Sequence, residues 1–334
     1  MNYKTLKTDK LPELFDKIKK AGKTVLAPRK KGNKTFFSTF DSFDQITFDY
    51  VQSALSPKSV LFPRVEELLT YKNQDDSYSI KEPELKDEVV VFGMRPCDGM
   101  ALDYLSDFFL KENPDKLLQD RKNNTTFISL ACKKFDNDCF CTSVGSSPAE
   151  TKGSDLCFTD MGNGSYYVEV VTDKGKKLVD AFPGLFTDSK EMNKVEQLAK
   201  VPVRFELKNL TPKIPTVFET NIWLDQSLAC IGCGACAYVC PTCSCFDIQD
   251  ECNPKGGTRL RCWDSCAFGQ FTIHASGHNP REVQSNRWRN RVMHKFNYSV
   301  ENLNTISCVG CGRCIRVCPA GMSIIEHLIS VEEA

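Results

Sequence analysis

The sequence predicts an α+β protein with two parts, an N-terminal α/β domain and a smaller, cysteine-rich domain. Three observations lead to this prediction. In the first part, β-branched runs alternate with amphipathic helical patterns, as in layered α/β folds. In the second part, a four-cysteine run occurs twice. Between the parts lies a stretch with a proline at 202, 212 and 215, which we interpret as a linker. The predicted limits are 1–201 for the α/β domain, 202–220 for the linker and 221–334 for the second domain, with an insertion at 243–300.

The composition narrows the compartment and the classes of partner. The chain has 43 basic and 43 acidic residues, so no overall field favours nucleic acid or an anionic membrane. No apolar run is long enough to span a bilayer, and the segment that begins at Met1 lacks the apolar region of a signal peptide. The 18 cysteines are therefore expected to be reduced and to bind metal. We expect a cytoplasmic protein from an anaerobic setting.

The first elements of the α/β domain follow from local patterns. Residues 11–23 have helical spacing of apolar side chains, with lysines on the other face. Strand-like segments on both sides of the basic turn at 30–33 predict a hairpin. Residues 64–69 are helix-like, and the polar stretch 71–88 predicts a surface loop.

A strand–helix–strand unit comes next. The run 89–93 suits a buried strand, 100–110 has the pattern of an amphipathic helix, and 125–131 suits a second buried strand. Cys97 and Cys132 follow the two strands, at the edge where open α/β sheets place their sites.

The loop after the second strand adds two further cysteines, Cys139 and Cys141. Together with Cys97 and Cys132 they predict a four-thiolate site, which fits either a cubane cluster or a zinc ion. The alternative is that these cysteines are small buried hydrophobic residues. Cys157 lies in a strand-like run, and we assign it to the core.

The repeated run has the pattern C-x2-C-x2-C-x3-C-P, starting once at Cys230 and again at Cys308. Bacterial-type ferredoxins hold two [4Fe–4S] clusters with this run, and its fourth cysteine binds the cluster of the other run. Structural zinc sites instead usually pair two C-x2-C knuckles. The predicted ligand sets are Cys230, Cys233, Cys236 and Cys318 for cluster 1, and Cys308, Cys311, Cys314 and Cys240 for cluster 2. The sequence therefore predicts a ferredoxin-like domain with an insertion.

The insertion carries additional cysteines and a basic segment. Cys243, Cys245 and Cys266, completed by Cys252, Cys262 or His278, predict a further iron–sulfur or zinc site, although structural thiols are an alternative. Residues 281–295 are locally basic. A docking face for an acidic partner, or solvated charge, is the favoured interpretation of this segment over a phosphate site.

Several motifs together resemble one known family. They are Asp87-Glu-Val-Val-Val-Phe-Gly-Met-Arg-Pro-Cys-Asp98, Cys139-Phe-Cys141, Cys240-Pro-Thr-Cys-Ser-Cys-Phe246, Trp263-Asp-Ser-Cys266, Ser276-Gly-His-Asn279 and Val292-Met-His-Lys-Phe-Asn-Tyr298. From about residue 26 to its end, the chain resembles the beta subunit of the soluble sulfhydrogenases, which are NAD(P)-linked [NiFe] hydrogenases. It also resembles the A subunit of anaerobic sulfite reductase. Arg95-Pro96 and Trp263-Asp264 are closer to the sulfhydrogenase branch.

The resemblance implies an electron-transfer subunit of an oxidoreductase complex, without catalytic residues of its own. Its partners would be a subunit that binds flavin and NAD(P)H and a catalytic subunit with a NiFe centre or siroheme. The resemblance extends to the first four-cysteine set, implying a third [4Fe–4S] cluster, and to Cys243, Cys245, Cys266 and His278, implying a structural or metal role. Cys252 and Cys262 match no family position.

The chain lacks the G-x-G-x-x-G pattern and any flavin fingerprint. We therefore expect flavin and nicotinamide to bind to a partner. One rival is a self-contained flavin-dependent reductase, with its site near Arg95 and Asp98. Another is a nucleic-acid enzyme with structural clusters, which the balanced charge and the lack of an aromatic–basic face disfavour.

Overall fold

The computed structural model describes residues 2–74 and 77–334, and of residue 74 the backbone. The strands are β1 (Asn2–Lys7), β2 (Thr24–Lys31), β3 (Lys34–Ser38), β4 (Val65–Gln74), β5 (Ser77–Lys81), β6 (Val89–Met94), β7 (Thr125–Leu130), β8 (Leu156–Asp160), β9 (Ser165–Val170), β10 (Phe186–Ser189), β11 (Phe246–Asn253) and β12 (Gly256–Trp263). The helices are α1 (Leu11–Lys20), α2 (Pro96–Leu110), α3 (Lys116–Asn124), α4 (Asp173–Asp180), α5 (Leu207–Thr216), α6 (Ile222–Ser227), α7 (Ala235–Tyr238), α8 (Gln284–Met293), α9 (Ser299–Leu303), α10 (Arg313–Val317) and α11 (Ile324–Glu333).

The larger sheet forms the N-terminal α/β part. Within the described residues it has eight strands, in the order β10-β1-β9-β8-β7-β6-β2-β3. Neighbouring strands from β2 through β6 and β7 to β8 are parallel, whereas the outer pairs are antiparallel. Phe92 packs edge-on against Phe15 and Phe158 at the centre of the core, with ring centroids 4.9 Å and 5.5 Å apart. The mixture of helices and sheets confirms the predicted α+β class.

The predicted strand–helix–strand unit is present, with its helix starting earlier than expected. β6 and β7 are parallel neighbours connected through α2 and α3. α2 begins at Pro96, where a proline is tolerated because the first helical turn needs no amide donor. The Asp98 side chain accepts a hydrogen bond from the backbone amide of Arg95 at 3.3 Å and caps the turn. Cys97 therefore lies on a rigid helical turn rather than in a flexible loop.

A second sheet joins the two parts of the chain. Its order is β11-β12-β4-β5, so a hairpin from the insertion pairs with a hairpin from the N-terminal part. The predicted helix at 64–69 is wrong, because these residues belong largely to β4, which pairs with the distant strand β12. The predicted surface loop at 71–88 is wrong where β4 and β5 lie. Residues 75 and 76 of that loop lie outside the described residues. Arg261 on β12 forms buried ion pairs with Glu66 on β4 and with Asp115 before α3.

The C-terminal core packs short helices around large apolar side chains. Trp223, Trp288, Phe296 and Leu328 are among its buried members. Helix α5, inside the predicted linker 202–220, contributes the fully buried Leu210 to this core. That segment is thus more than a connection, and the domain limits stay a prediction. No helix of the described residues is long and apolar enough to cross a membrane.

Candidate iron–sulfur sites

The four cysteines predicted for cluster 1 meet in the fold. The loop before α7 and the end of α10 face each other across one small cavity, and its lining includes Cys230, Cys233, Cys236 and Cys318. At Gly234, φ is +71°, and an added Cβ would lie 2.7 Å from the Phe268 ring. Only glycine fits this turn without strain. The cysteine from the second run lies where a swapped ligand needs to be.

The sulfur atoms of this set accept neutral hydrogen bonds. Gln284 Nε2 donates to Cys230 Sγ at 3.1 Å, and the Met322 amide donates to Cys318 Sγ at 3.4 Å. Cys233 is exposed, so this set lies at the protein surface. Such donors orient thiolates and tune the potential of a bound cluster.

The cysteines predicted for cluster 2 also lie together. Burial raises the pKa of the Cys314 thiol to about 12, and the other three thiols of the set raise it as well, whereas Arg291 lowers it. Burial raises the pKa of Cys308 to about 11, again with contributions from Cys240 and Cys311. The Thr242 hydroxyl, two residues after Cys240, donates to the Ser307 carbonyl at 2.7 Å, so Cys240 lies next to the start of the second run.

Three buried cations contact residues 236–243, the segment that carries predicted ligands of both clusters. Lys295 Nζ donates to Cys240 Sγ at 3.3 Å, Arg291 Nη2 to the Cys236 carbonyl at 2.9 Å, and Lys58 Nζ to the Cys243 carbonyl at 3.0 Å. All three side chains are buried, and Arg291 Nε has no partner. In the described residues the charges that most raise the pKa values of these three side chains are those of cysteine thiols.

A buried cation without a counter-charge is costly. An iron–sulfur cubane bound by four thiolates is an anion, so a cluster at each set would supply that charge. The cations therefore fit the cofactor that the cysteine spacing predicts. They also lower the pKa of Cys240: burial raises it, but Lys295 and Arg291 outweigh burial and bring it to about 6.

The third predicted set lies at the carboxyl ends of β6 and β7, and its members are Cys97, Cys132, Cys139 and Cys141. Burial raises the pKa of Cys141 to about 12, and the thiols of Cys132 and Cys139 raise it further. Burial also raises the pKa of Cys97, with contributions from Asp98, Cys311 and Cys132. The thiols thus form a connected group that extends to Cys311 of the second run.

The third set packs directly on the second cysteine run. The Phe140 amide donates to the Gly310 carbonyl at 2.9 Å, and an added Cβ at Gly310 would lie 2.5 Å from the Cys141 amide nitrogen. Cys97 packs in one apolar cluster with Val309 and Cys311. Glycine is required at 310 because two backbones touch there and φ is +62°.

A buried ion pair fixes this contact. Arg313 from the second run pairs with Asp98 at 2.7 Å, and both side chains are almost fully buried. Arg313 Nε also donates to the Ser53 carbonyl at 2.9 Å. The Gln52 side chain accepts a hydrogen bond from Arg313 and donates one from its amide nitrogen to Cys97 Sγ at 3.1 Å. This ion pair therefore holds the third cysteine set and the second cysteine run against each other.

The thiols of the insertion come together without the predicted histidine. Interaction among Cys243, Cys245 and Cys266 raises the pKa of Cys245 and lowers the pKa values of the other two thiols, so the three are neighbours. The His278 ring is exposed and packs on His274, with centroids 5.4 Å apart. A different histidine, His294, shares a cavity of about 790 Å³ with Cys245 and Cys266. The metal assignment for this group stays a prediction.

No group of three or more His, Cys, Asp or Glu side chains in 2–74 and 77–334 is arranged to hold a single metal ion.

The remaining cysteines are dispersed. Cys157 is fully buried in β8, as expected for a core residue. Cys252 is exposed on β11 and Cys262 lies on β12. None of the 18 cysteines forms a disulfide. The structure suggests no shared role for these three.

Sequence reasoning missed the buried cations. The segment 281–295 was expected to be a docking face or solvated charge, but Arg291 and Lys295 within it are buried against cysteines. A lysine or arginine near a cysteine run carries no signal of burial, and Lys58 is distant in sequence. The sequence does give a signal for one buried ion pair. Arg313 stands inside a cysteine run and Asp98 stands beside Cys97, and these positions could have suggested that the two residues take part in the site.

Comparison with known proteins agrees with this arrangement. Residues 229–322 match the family model described as a 4Fe-4S dicluster domain. The whole chain is similar to sulfhydrogenase 2 subunit beta of Pyrococcus furiosus, with 28% identity over 342 residues, covering 100% of this chain and 99% of that protein. No solved structure matches.

These findings confirm the resemblance to a sulfhydrogenase beta subunit and the iron–sulfur nature of the C-terminal domain. A dicluster domain of this kind holds [4Fe–4S] clusters and transfers electrons one at a time. The number of clusters beyond two is a matter for the proposals below.

Proposed function

We propose that this chain is the iron–sulfur subunit of a [NiFe] hydrogenase complex of the sulfhydrogenase type. It relays single electrons between a subunit that binds flavin and NAD(P)H and the catalytic subunit. The observation that carries this proposal is that Cys318 lines one cavity with the cysteines of the first run, which supports the ligand exchange expected of a two-cluster ferredoxin. The similarity to a sulfhydrogenase beta subunit along the whole chain supports the choice of complex.

We further propose that the third cysteine set holds a third [4Fe–4S] cluster. Its backbone contact with Gly310 and the packing of Cys97 against Cys311 support a direct electron path into cluster 2. The path would then continue to cluster 1, whose Cys233 is exposed at the surface. Electrons would travel between the α/β domain and the surface of the C-terminal domain.

We also propose a cytoplasmic, anaerobic setting, because thiolate ligands need a reducing compartment. Two alternative functions, the A subunit of anaerobic sulfite reductase and a self-contained flavin reductase, are distinguishable from this one. Anaerobic sulfite reductase would require a siroheme partner in place of the NiFe subunit. A self-contained flavin reductase would need free groups near Arg95 and Asp98, but Asp98 pairs with Arg313, and Arg95 donates to the Tyr50 carbonyl and stacks on its ring.

The proposal that flavin and NAD(P)H bind to a different subunit can be tested directly. The chain is purified anaerobically and mixed with dithionite or with NADPH and NADH, and its reduced clusters are followed by EPR. Dithionite is expected to reduce the clusters, whereas the nicotinamides are expected to leave them oxidised until a flavin-containing NAD(P)H dehydrogenase subunit of the complex is added. Rapid reduction by NADPH or NADH of the isolated chain would contradict the proposal and favour the flavin reductase.

A further inference from the structure

Lys295 is a buried ammonium group that donates to a cysteine sulfur. Its Nζ lies 3.3 Å from Cys240 Sγ, 3.1 Å from Thr242 Oγ1 and 2.8 Å from the Ser307 carbonyl oxygen. The residue is only 6% exposed. An ammonium group has three N–H donors, and here each has an acceptor. The charge is therefore held in one position beside Cys240.

The backbone around Lys295 is specialised to keep it there. Lys295 lies in a π-helical segment, His294–Tyr298, which directly follows α8. The Lys295 carbonyl accepts hydrogen bonds from the Ser307 amide and the Ser299 hydroxyl, both at 2.9 Å. Single π-helical turns are rare and occur frequently at functional sites. Because Ser307 immediately precedes Cys308, this turn is tied to the second cysteine run.

The charge acts unequally on the two ferredoxin sites. The described sulfur contacts of the cluster 1 set are with the neutral donors Gln284 and Met322. Arg291 donates to the carbonyl of Cys236 in the cluster 1 set at 2.9 Å, and its charge acts on thiols of both sets. Lys295 is the cation that donates to a sulfur atom of the cluster 2 set itself. Lys58, which donates to the Cys240 carbonyl at 3.2 Å, adds to the positive charge on the cluster 2 side.

We infer that Lys295 raises the reduction potential of the cluster bound by Cys240, Cys308, Cys311 and Cys314 above that of its neighbour. Reduction adds one electron to an already anionic cluster, and a fixed positive charge bonded to a ligand sulfur stabilises the reduced state more than the oxidised state. Of clusters 1 and 2, cluster 2 is thus the one on which a single electron resides. This inference rests on the cluster assignments of the proposed function.

The test compares variants of the full chain, purified anaerobically, in redox titrations followed by EPR. Lys295→Gln keeps a neutral donor and removes the charge, Lys295→Met removes both, and Lys295→Arg keeps the charge. Lys174→Met is the matched control, because Lys174 is a partly buried lysine that contacts the Lys122 and Thr125 carbonyls and Asp155, with no cysteine among its interactions.

In Lys295→Gln and Lys295→Met, the more positive of the two one-electron steps that belong to clusters 1 and 2 is followed. Its equilibrium constant is expected to fall at least tenfold, which is about 59 mV towards negative potential. The other step should change less than threefold. Lys295→Arg and Lys174→Met should leave both steps within threefold of the unmodified protein.

Two results would overturn the inference. One is an unchanged pair of steps in both neutral variants. The other is loss of the cluster in both of them while Lys174→Met retains it, which would show a structural role. Failure of the cluster assignments is recognised separately, since the unmodified chain would then lack the two one-electron steps. Failure of the proposed function is recognised by direct reduction of the unmodified chain with NADPH or NADH.

Discussion

Replacing Cys240 by alanine is expected to remove cluster 2. The substitution takes away the swapped ligand and leaves Lys295 buried without its anionic partner. A cubane is held by four thiolates, and three thiolates leave one of its irons without a protein ligand. Iron analysis of anaerobically purified Cys240→Ala should therefore show about four fewer iron atoms per chain than the unmodified protein.

Cys157→Ala is the matched control for this change. Cys157 is equally buried, but it lies in β8 among core residues, and the thiol interacts with Ser129. This variant should retain all of its iron. An unchanged iron content in Cys240→Ala would show that Cys240 is not a ligand and would remove the basis for the exchanged ligand sets.

The second large effect is expected for Gly310→Ala. A methyl group there would lie 2.5 Å from the Cys141 amide nitrogen and 2.6 Å from the Phe140 carbonyl carbon, at a φ of +62°. Neither backbone can yield without opening the contact between the third cysteine set and the second run. We expect a loss of stability of at least about 4 kcal/mol, because a backbone clash and left-handed strain act together. Anaerobic denaturant titrations, followed by circular dichroism and cluster absorbance, measure this loss.

Gly22→Ala is the matched control, because it introduces backbone strain at a positive φ without a steric clash of the added methyl group. Gly22 also has a positive φ, +81°, but an added Cβ would meet nothing within 4 Å. Its cost should be about 1–2 kcal/mol, the usual penalty for a side chain in the left-handed region. Equal losses in the two variants would mean that the Gly310 contact does not hold the two cysteine groups together.

The features that the sequence predicts well are those set by local spacing. Each cysteine run carries its first three thiols within one short segment. The C-x2-C-x2-C spacing is therefore enough to predict three ligands of one cluster. The pairing of β6 with β7 follows from two apolar runs joined by a helix, which has few alternative arrangements. Cys97 and Cys132 are placed at the sheet edge for the same reason.

The features that the sequence does not predict depend on partners far along the chain. Residues 65–74 look helical or polar alone, and they become a strand because β12 pairs with them. Lys58 and Lys295 look like ordinary surface lysines, and only the assembled fold shows that both contact residues around Cys240. Burial of a charge is a tertiary property, so no local pattern indicates it.

The most direct test of the central claim is the amount of iron and acid-labile sulfide in anaerobically purified full-length chain. Two ferredoxin-type clusters predict about eight atoms of each per chain, and a third cluster at the Cys97 set raises this to about twelve. About four atoms or fewer of each, or zinc without sulfide, would contradict the account.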